Sequence, residues 1–343
     1  MKARQFIIAD AYQTSVREVE LPAPGPQQIL VETEYSAISA GTELAVYTGS
    51  HQWLKDPAMT DWKFPFKPGY SAAGKILAVG SGITGWVPGQ RVSYPGNHAS
   101  HELLTIGHER GRWWQMPGNL AFEKAALACI SRYGFGGVLR TGLTLGRSVA
   151  VLGLGIIGQF AARSAQAAGC HPVIGIDAVP MRRKSAQAAG IDFTIDPSSS
   201  SPVKEELAAY LGSRGAEIVI DATGVPAAIP TAMSLAIDAG QVVVVGSPRG
   251  LAQNVNFYDD LHRRYIEVLG AHGNMLFEAA HHRLAGAWDI TKAQHWLLAA
   301  LASGRLNTEQ LVTHHIAPEQ IGDAYEGLLK KKDEYLGVVV QWK

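Results

Sequence analysis

One stretch of the chain limits its possible folds more than any other: VAVLGLGIIGQFAARSAQAAG, residues 149–169. An apolar strand runs into the pattern G-x-G-x-x-G, formed by Gly153, Gly155 and Gly158, which opens an alanine-rich helix. The first glycine permits a tight turn, the second lets the backbone approach a pyrophosphate, and the third lets the helix pack on the strand. The diphosphate then lies at the helix N-terminus, where N–H groups are unpaired. The stretch predicts a dinucleotide-binding unit.

Strand-like and helix-like segments alternate from this motif to the apolar run QVVVVG, residues 241–246. Segments such as AEIVIDATG are apolar along most of their length, which is typical of strands covered on both faces of a sheet. The alternation predicts βαβ crossovers, a doubly wound parallel sheet and hence an α/β Rossmann domain. We place this domain at residues 131–270.

An acidic residue follows the second predicted strand of this domain. Asp177 lies close to the ~20-residue spacing expected between the last glycine and a ribose-binding carboxylate. Such a carboxylate accepts both ribose hydroxyls and repels a 2′-phosphate, so NAD is favoured over NADP. Arg182 and Arg183 are close enough in sequence to hold a phosphate, but we interpret them as a solvated helix face.

The chain before residue 131 has a different texture. Short alternating runs are separated by Pro-Gly pairs, for example at 68–69 and 88–89, which indicates an irregular β-domain over residues 1–130. Residues 271–343 carry helical patterns and end in the strand-like run YLGVVVQW. That strand needs a partner, so we expect this segment to complete the first domain.

Composition excludes several classes of function. The 30 basic and 30 acidic residues cancel, and no basic tract is present, so nucleic acid is not an expected partner. The N-terminus lacks a signal-peptide pattern, and the most apolar window is too short to span a bilayer. With only two cysteines, the chain cannot build a disulfide framework. We expect a cytoplasmic protein with no membrane partner.

The order of these segments resembles the medium-chain dehydrogenase/reductase superfamily of zinc-type alcohol dehydrogenases. The likeness covers the whole chain, through motifs such as PGYSAAGKI, VAVLGLGIIG and LVTHHIAPEQIGDAYEGL in family order. It implies a GroES-like β-domain joined to the Rossmann domain. It also implies a homodimer or homotetramer, paired through the edge strand YIEVLGA.

Zinc-dependent members of the family carry Cys-Gly-Thr-Asp-Leu-His in a first loop and Gly-His-Glu in a second. Here the first loop reads AGTELA, beginning at Ala40, and Tyr70 replaces the histidine of the second. Only Cys129 falls near a third ligand position. Catalytic zinc needs three protein ligands, so we predict no metal site. The variant is similar to a zinc-less branch that includes bacteriochlorophyllide a dehydrogenase, which implies a secondary-alcohol substrate.

Without zinc, side chains must exchange the proton with the substrate. Thr42 matches the family position that relays a proton, but threonine is too weak a base to act alone. Tyr70 is a candidate acid or base, with packing in a cleft wall as the alternative. His51 is a second candidate, although an exposed loop histidine is the simpler interpretation. We expect Glu43 to orient the loop or to pair with an arginine, and the spacing of His98 supports no role.

The cofactor-binding prediction combines the glycine motif with positions that the resemblance implies. In the family, the DATG turn lies near the adenosine and the end of VVVVG passes under the nicotinamide. The predicted residues are Gly153, Gly155, Ile156, Ile157, Gly158, Asp177, Arg182, Ala222, Thr223, Val245 and Gly246.

Three functions remain open at this stage. The first is a zinc-independent, NAD(H)-dependent oxidoreductase that interconverts a secondary alcohol and a ketone through Thr42 and Tyr70. The second is a reductase of an activated carbon–carbon double bond, which usually uses NADPH, and the third is a non-catalytic dinucleotide sensor. The small-molecule substrate could be ring-bearing, because aromatic residues such as Trp53 and Trp62 follow the first loop. Packing of the loop is the alternative explanation for them.

Overall fold

A computed structural model describes residues 1–108, 110–142, 144–273, 277 and 288–343. In this part of the chain the strands are β1 (Lys2–Asp10), β2 (Gln13–Glu20), β3 (Gln28–Ala37), β4 (Ala72–Val79), β5 (Arg91–Tyr94), β6 (His101–Thr105), β7 (Trp114–Gln115), β8 (Val149–Leu152), β9 (Val173–Ile176), β10 (Phe193–Ile195), β11 (Ala216–Asp221), β12 (Ala236–Val244), β13 (Glu267–Gly270), β14 (Val312–Ile316) and β15 (Gly337–Gln341). The α-helices are α1 (Ala40–Tyr47), α2 (Phe122–Ala125), α3 (Ala128–Arg140), α4 (Ile156–Ala167), α5 (Pro180–Ala188), α6 (Val203–Leu211), α7 (Ile229–Leu235), α8 (Ile290–Ala302) and α9 (Ile321–Lys330).

The chain divides into two compact units, each made of separate segments. Unit 1 comprises Met1–Ile130, Gln294–Ser303 and Val312–Lys343, and unit 2 comprises Ser131–Ala293 and Gly304–Leu311. The sequence analysis placed the return to the first domain at residue 271. In the structure, the chain stays with unit 2 through residue 293.

Side-chain contacts within unit 2 explain its extra segments. The Trp288 ring packs edge-on against Phe135, with ring centroids 5.1 Å apart, which ties the chain after β13 to this unit. Arg163, on α4, is buried and donates to the backbone oxygens of Asn307 at 2.6 Å and Ser185 at 3.1 Å. A buried guanidinium needs such acceptors, so it holds residues 304–311 against α4 and α5.

Unit 2 contains a six-stranded parallel sheet in the order β10-β9-β8-β11-β12-β13. The central strands β8 and β9 are buried along their full length, as expected for strands with helices on both faces. This order is that of a doubly wound Rossmann sheet. The α/β fold predicted for this region is therefore confirmed. Such sheets bind ligands beyond the carboxyl ends of their strands, where β8 and β11 lie side by side.

Unit 1 is built around a seven-stranded sheet in the order β14-β15-β3-β4-β5-β7, with β6 also paired to β3. One edge of β3 pairs with β4, and the other is shared between β6 at residues 28–32 and β15 at residues 35–37. The terminal strand thus finds the partner that the sequence analysis expected in the first domain. Phe6, Tyr325 and Trp342 lie in one apolar cluster of this unit. Among the described helices, none has the length and apolar character needed to cross a membrane.

Candidate active site

The glycine motif of unit 2 forms a turn in which each glycine meets a different requirement. Gly153 has φ +87°, and a Cβ at Gly158 would lie 1.8 Å from the Gly153 carbonyl oxygen. Larger residues are excluded there by the fold itself. At Gly155, by contrast, an added Cβ would meet no atom within 4 Å. The fold does not need glycine at this position, whereas a ligand that approaches the backbone does.

Gly155 is also the N-cap of α4, with φ −63° and ψ 178°. The N–H groups of the first helical turn, from Ile156 to Gly158, have no acceptor within the helix. They and the helix dipole form a suitable place for a diphosphate. These residues therefore fit a dinucleotide at the position that the motif predicts.

Asp177 follows β9 and is nearly buried, at 8% exposure. Its carboxylate accepts the N–H groups of Leu154 and Val179, both at 2.8 Å, so it is fixed beside the glycine turn. Arg182 lies 3.5 Å from the same carboxylate, and Arg183 pairs with Asp196 at 2.8 Å. Our interpretation of both arginines as a solvated helix face is wrong, because each has an acidic partner and is mostly covered by neighbouring atoms.

The remaining predicted cofactor residues lie beyond β11 and β12. A Cβ at Gly153 would approach the Thr223 N atom to 3.1 Å, which places the DATG turn against the glycine turn. The Asp221 carbonyl accepts the N–H groups of Val245 and Gly246, both at 2.9 Å, and Ala222 donates to the Leu152 carbonyl at 2.9 Å. The structure thus brings the predicted cofactor residues together at one edge of the sheet.

In unit 1, the loop that the sequence analysis singled out is the start of α1. Ser39 is the N-cap and Thr42 is the third residue of the helix. Thr42 is half-buried, and within the described residues its hydroxyl makes no hydrogen bond. It is therefore available to a ligand, as a relay group requires.

Tyr70 forms a hydrogen bond through its hydroxyl with the Ser39 Oγ atom. Either hydroxyl can be the donor. Ser39 is buried and Tyr70 half-buried. Ser71, next to Tyr70, is fully buried, and its Oγ accepts the Ile130 N–H at 3.2 Å. The phenol is thus fixed by its own contact and by its chain neighbour.

Glu43 lies one turn into α1 and is buried, at 1% exposure. Its Oε1 accepts the Ser39 N–H at 2.7 Å, and its Oε2 accepts from His98 Nε2 at 2.8 Å and the Tyr325 hydroxyl at 2.6 Å. Burial raises the pKa of this carboxyl, but the charge of His98 and the three hydrogen bonds outweigh it, so the pKa is lowered. Glu43 is bonded to the N-cap of the loop, and its side-chain partners are a histidine and a tyrosine and not the expected arginine.

His51 is buried, at 5% exposure, so the interpretation as an exposed loop histidine is wrong. Its ring stacks on Trp62 with centroids 4.4 Å apart, and Trp53 meets it edge-on at 5.3 Å. Its Nδ1 accepts the Trp53 N–H at 3.3 Å, which caps a short 3₁₀ turn. Trp62 also packs against Phe66 at 5.2 Å. These aromatic faces contact one another, which supports loop packing over a ring-bearing substrate.

Comparison with known proteins covers both units. The model of the alcohol dehydrogenase GroES-like domain matches residues 25–141, and that of the zinc-binding dehydrogenases matches residues 157–292. L-threonine 3-dehydrogenase of Thermococcus kodakarensis is 25% identical over 334 residues, covering 89% of this chain and 88% of the relative. Sorbitol dehydrogenase of Ovis aries is 26% identical over 337 residues, covering 89% and 87%. The chain belongs to the zinc-type alcohol dehydrogenase-like superfamily of medium-chain dehydrogenases.

The fold of this chain is also found in a solved structure. It is a protein assigned as a zinc-binding dehydrogenase of Sinorhizobium meliloti 1021, bound to NADP. The TM-score is 0.81 at 22% identity, and the match covers 99% of both chains. The GroES-like and Rossmann architecture is therefore confirmed for this chain.

The zinc that the superfamily's name implies does not fit the donor atoms present. At the expected ligand positions stand Ala40, the Tyr70 phenol bonded to Ser39, and the buried Cys129. The Cys129 sulfur receives the side-chain amide of Gln294 at 3.7 Å. Across the described residues, no three His, Cys, Asp or Glu side chains are placed to share a metal ion. One thiol and a phenol do not form a catalytic zinc site.

Ser39 is a functional candidate that sequence reasoning missed, and His98 is one to which it assigned no role. The residue type of Ser39 was one available indication, since serine is a preferred N-cap residue and Ser39 directly precedes α1. No local pattern indicates that His98, distant in sequence from α1, reaches Glu43. Such contacts depend on the register of the sheet.

Proposed function

We propose that the protein is a zinc-independent, NAD(H)-dependent oxidoreductase that interconverts a secondary alcohol and a ketone. The observation that supports this most directly is the hydrogen bond between the Ser39 and Tyr70 hydroxyls, since Tyr70 replaces the histidine ligand of the zinc-dependent family members. Two linked hydroxyls can exchange a proton with a substrate oxygen, which is the part of the reaction that zinc otherwise assists.

Each group in unit 1 has a definite part in this reaction. During ketone reduction, the Tyr70 phenol donates its proton to the carbonyl oxygen, and Ser39 holds the phenol in place. In the reverse direction the alcohol proton passes to Tyr70, and because the oxidation releases a proton overall, high pH favours this direction. Thr42, with its uncommitted hydroxyl, relays the proton onward. The nicotinamide, when bound, supplies or accepts the hydride.

The proposed cofactor is NAD, held by the glycine turn and Asp177. The fixed carboxylate matches a ribose diol, since its two oxygens lie at the end of β9 beside the turn. Arg182 supports the alternative, because its Nε is buried without a hydrogen-bond partner in the described part of the chain. A 2′-phosphate would interact favourably with that charge, and NADPH would then favour a double-bond reductase.

Energy transfer from tryptophan to the reduced nicotinamide tests the cofactor, with NADH and NADPH titrated in parallel. We expect tighter binding of NADH. The Arg182→Gln variant should leave NADH affinity within a few-fold, whereas a large loss of NADPH affinity would mark Arg182 as a phosphate ligand. Preference for NADPH overturns the NAD assignment, and binding of neither overturns the enzyme proposal.

Turnover is tested with L-threonine and sorbitol as probe alcohols, chosen because relatives are named for them. After dialysis against a chelator, the rate of NADH formation should be unchanged by added zinc. Thr42→Ala should abolish turnover and leave NADH affinity intact, while Thr42→Ser should restore most of it. Rates that depend on zinc contradict the proposal. Tight NADH binding without turnover on a wider alcohol and ketone panel would favour the sensor.

A further inference from the structure

We propose that His98 and Glu43 are positioning residues that together fix the distance between the Ser39 and Tyr70 hydroxyls. The inference rests on the proposed function, in which that pair exchanges the substrate's proton. His98 acts on the two hydroxyls by separate routes, one through its imidazole and one through its backbone.

The first route runs from the imidazole to Ser39. His98 Nε2 donates to Glu43 Oε2 at 2.8 Å, because a carboxylate can only accept. The other carboxylate oxygen accepts the Ser39 N–H at 2.7 Å. The position of the Ser39 backbone, and with it the Oγ atom, is therefore set by where His98 holds Glu43.

The second route runs from the His98 backbone to Tyr70. The His98 N–H donates to the Pro68 carbonyl at 2.9 Å. Gly69 has φ +101°, and a Cβ there would lie 2.7 Å from the His98 N atom, so the two backbones are in direct contact. Arg110 also donates to the Gly69 carbonyl at 3.2 Å. The segment leading into Tyr70 is thus held against the residue that positions Ser39.

His98 is itself immobilised from several sides. Its Nδ1 lies 2.8 Å from Ser36 Oγ, which accepts the Trp342 indole N–H at 2.9 Å. Its carbonyl accepts the Phe6 N–H at 2.9 Å. The His98 side chain is fully buried and that of Glu43 is 2% exposed, so water cannot replace these partners.

A stabilising role alone does not explain a buried pair of this kind. Replacing a buried ion pair by apolar residues of similar volume is often neutral or stabilising, because both groups lose hydration. What an apolar replacement cannot supply is a directional contact to the Ser39 N–H. The value of the pair lies in geometry, which is needed where reacting groups must be aligned.

Two near-isosteric substitutions separate the roles of the imidazole nitrogens. His98→Gln places an amide N–H near the Nε2 position and can still donate to Glu43. His98→Asn reaches only the Nδ1 position and cannot. We would label tyrosine with ¹³C at Cζ and assign the Tyr70 resonance by its loss in Tyr70→Phe. Ser39→Ala then gives the resonance position of a broken hydroxyl pair.

We expect the Tyr70 resonance of His98→Gln near that of the native protein, and that of His98→Asn near that of Ser39→Ala. The Tyr70 resonance of Glu43→Gln should lie near that of His98→Asn. The glutamine amide places an N–H donor where Glu43 accepted hydrogen bonds, and its neighbours there are themselves donors. Tyr94→Phe is the matched control, because it removes a buried 2.7 Å hydroxyl contact with Thr33 in the same unit. It should leave the Tyr70 resonance in place.

In variants that turn over a probe alcohol, kcat of His98→Asn should fall by ~10²-fold with little change in KM, as expected for a misplaced reacting group. A native Tyr70 resonance in both His98→Asn and Glu43→Gln overturns the inference, as does a resonance that Ser39→Ala fails to move. The resonance needs no turnover. Absence of activity in the native protein would therefore count against the proposed function, while the resonance would still test the positioning role of His98 and Glu43.

Discussion

The Tyr70 hydroxyl already has a hydrogen-bond partner, the Ser39 hydroxyl, before any substrate binds. Tyr70→Phe keeps the ring and removes the acid, so we expect kcat to fall by ~10²- to 10⁴-fold. NADH affinity, measured by fluorescence titration, should stay within a few-fold, because the proposed cofactor-binding groups belong to unit 2. Ser39→Ala should lower kcat less than Tyr70→Phe. Equal kcat values for Tyr70→Phe and the native protein would remove the phenol from the mechanism.

Glu102 makes a separate prediction about pH. Burial raises the pKa of Glu102 to about 7, although Asn97 donates to both carboxylate oxygens and Arg110 and His98 add positive charge. Between the unfolded pKa near 4.5 and the folded value, the folded protein holds more protons than the unfolded one. Stability therefore falls as pH rises through this window, by at most about 1.4 kcal/mol per pH unit.

Urea unfolding of the native protein and Glu102→Gln from pH 5 to pH 8 checks this. The difference in unfolding free energy between the two proteins should move in favour of the variant as pH rises to about 7, then level off. Other titrating groups cancel in the difference. A difference that does not change with pH would show that Glu102 titrates normally.

At the level of elements, the glycine turn and α4 allow a matched comparison. Gly158→Ala forces a Cβ into the Gly153 carbonyl, so we expect a loss of stability of several degrees in Tm. In Gly155→Ala the added Cβ contacts no protein atom, so the Tm should not change. NADH affinity should fall by more than tenfold, because the methyl group occupies the space in which the diphosphate approaches the backbone. Thermal melts and fluorescence titration of both variants check this. A Gly155→Ala protein that binds NADH normally would place the dinucleotide elsewhere.

The sequence predicted the secondary-structure elements better than it predicted the side-chain contacts between them. The Rossmann strands were readable because each is a short apolar run buried on both faces, such as Val149–Leu152. The glycine turn was readable because backbone contact forces the residue type. The network around Glu43 was not, since His98, Tyr325 and Trp342 reach it only after distant segments pair. The burial of His51 among tryptophans was not predictable either. It depends on the conformation of an irregular loop, and such a loop has no hydrophobic periodicity from which its conformation could be predicted.

For the whole molecule, the outer strand β13 predicts assembly. It pairs with β12 on one side, while Val268 is 41% exposed and the nearby Tyr265 80% exposed. An exposed edge of this kind is a template for pairing with a second copy. We expect a dimer through β13, in line with the family resemblance.

Sedimentation equilibrium of Val268→Lys checks the dimer. A charge on the strand should weaken association at least tenfold, because pairing would bury it without a partner. Val87→Lys is the control, since Val87 is 57% exposed in unit 1, and it should associate like the native protein. A native protein that sediments as a monomer, or a Val268→Lys protein that remains dimeric, would contradict the expectation.

The pairing of β3 with β15 has a consequence for how the chain is made. These strands meet across roughly 300 residues, and the intervening chain includes all of unit 2. On the ribosome, β3 emerges early and must wait for β15 with part of one edge unpaired. The Rossmann sheet needs no such late partner among its strands. During synthesis, unit 2 can mature while unit 1, which contains the proposed acid–base pair, still needs protection from neighbouring chains.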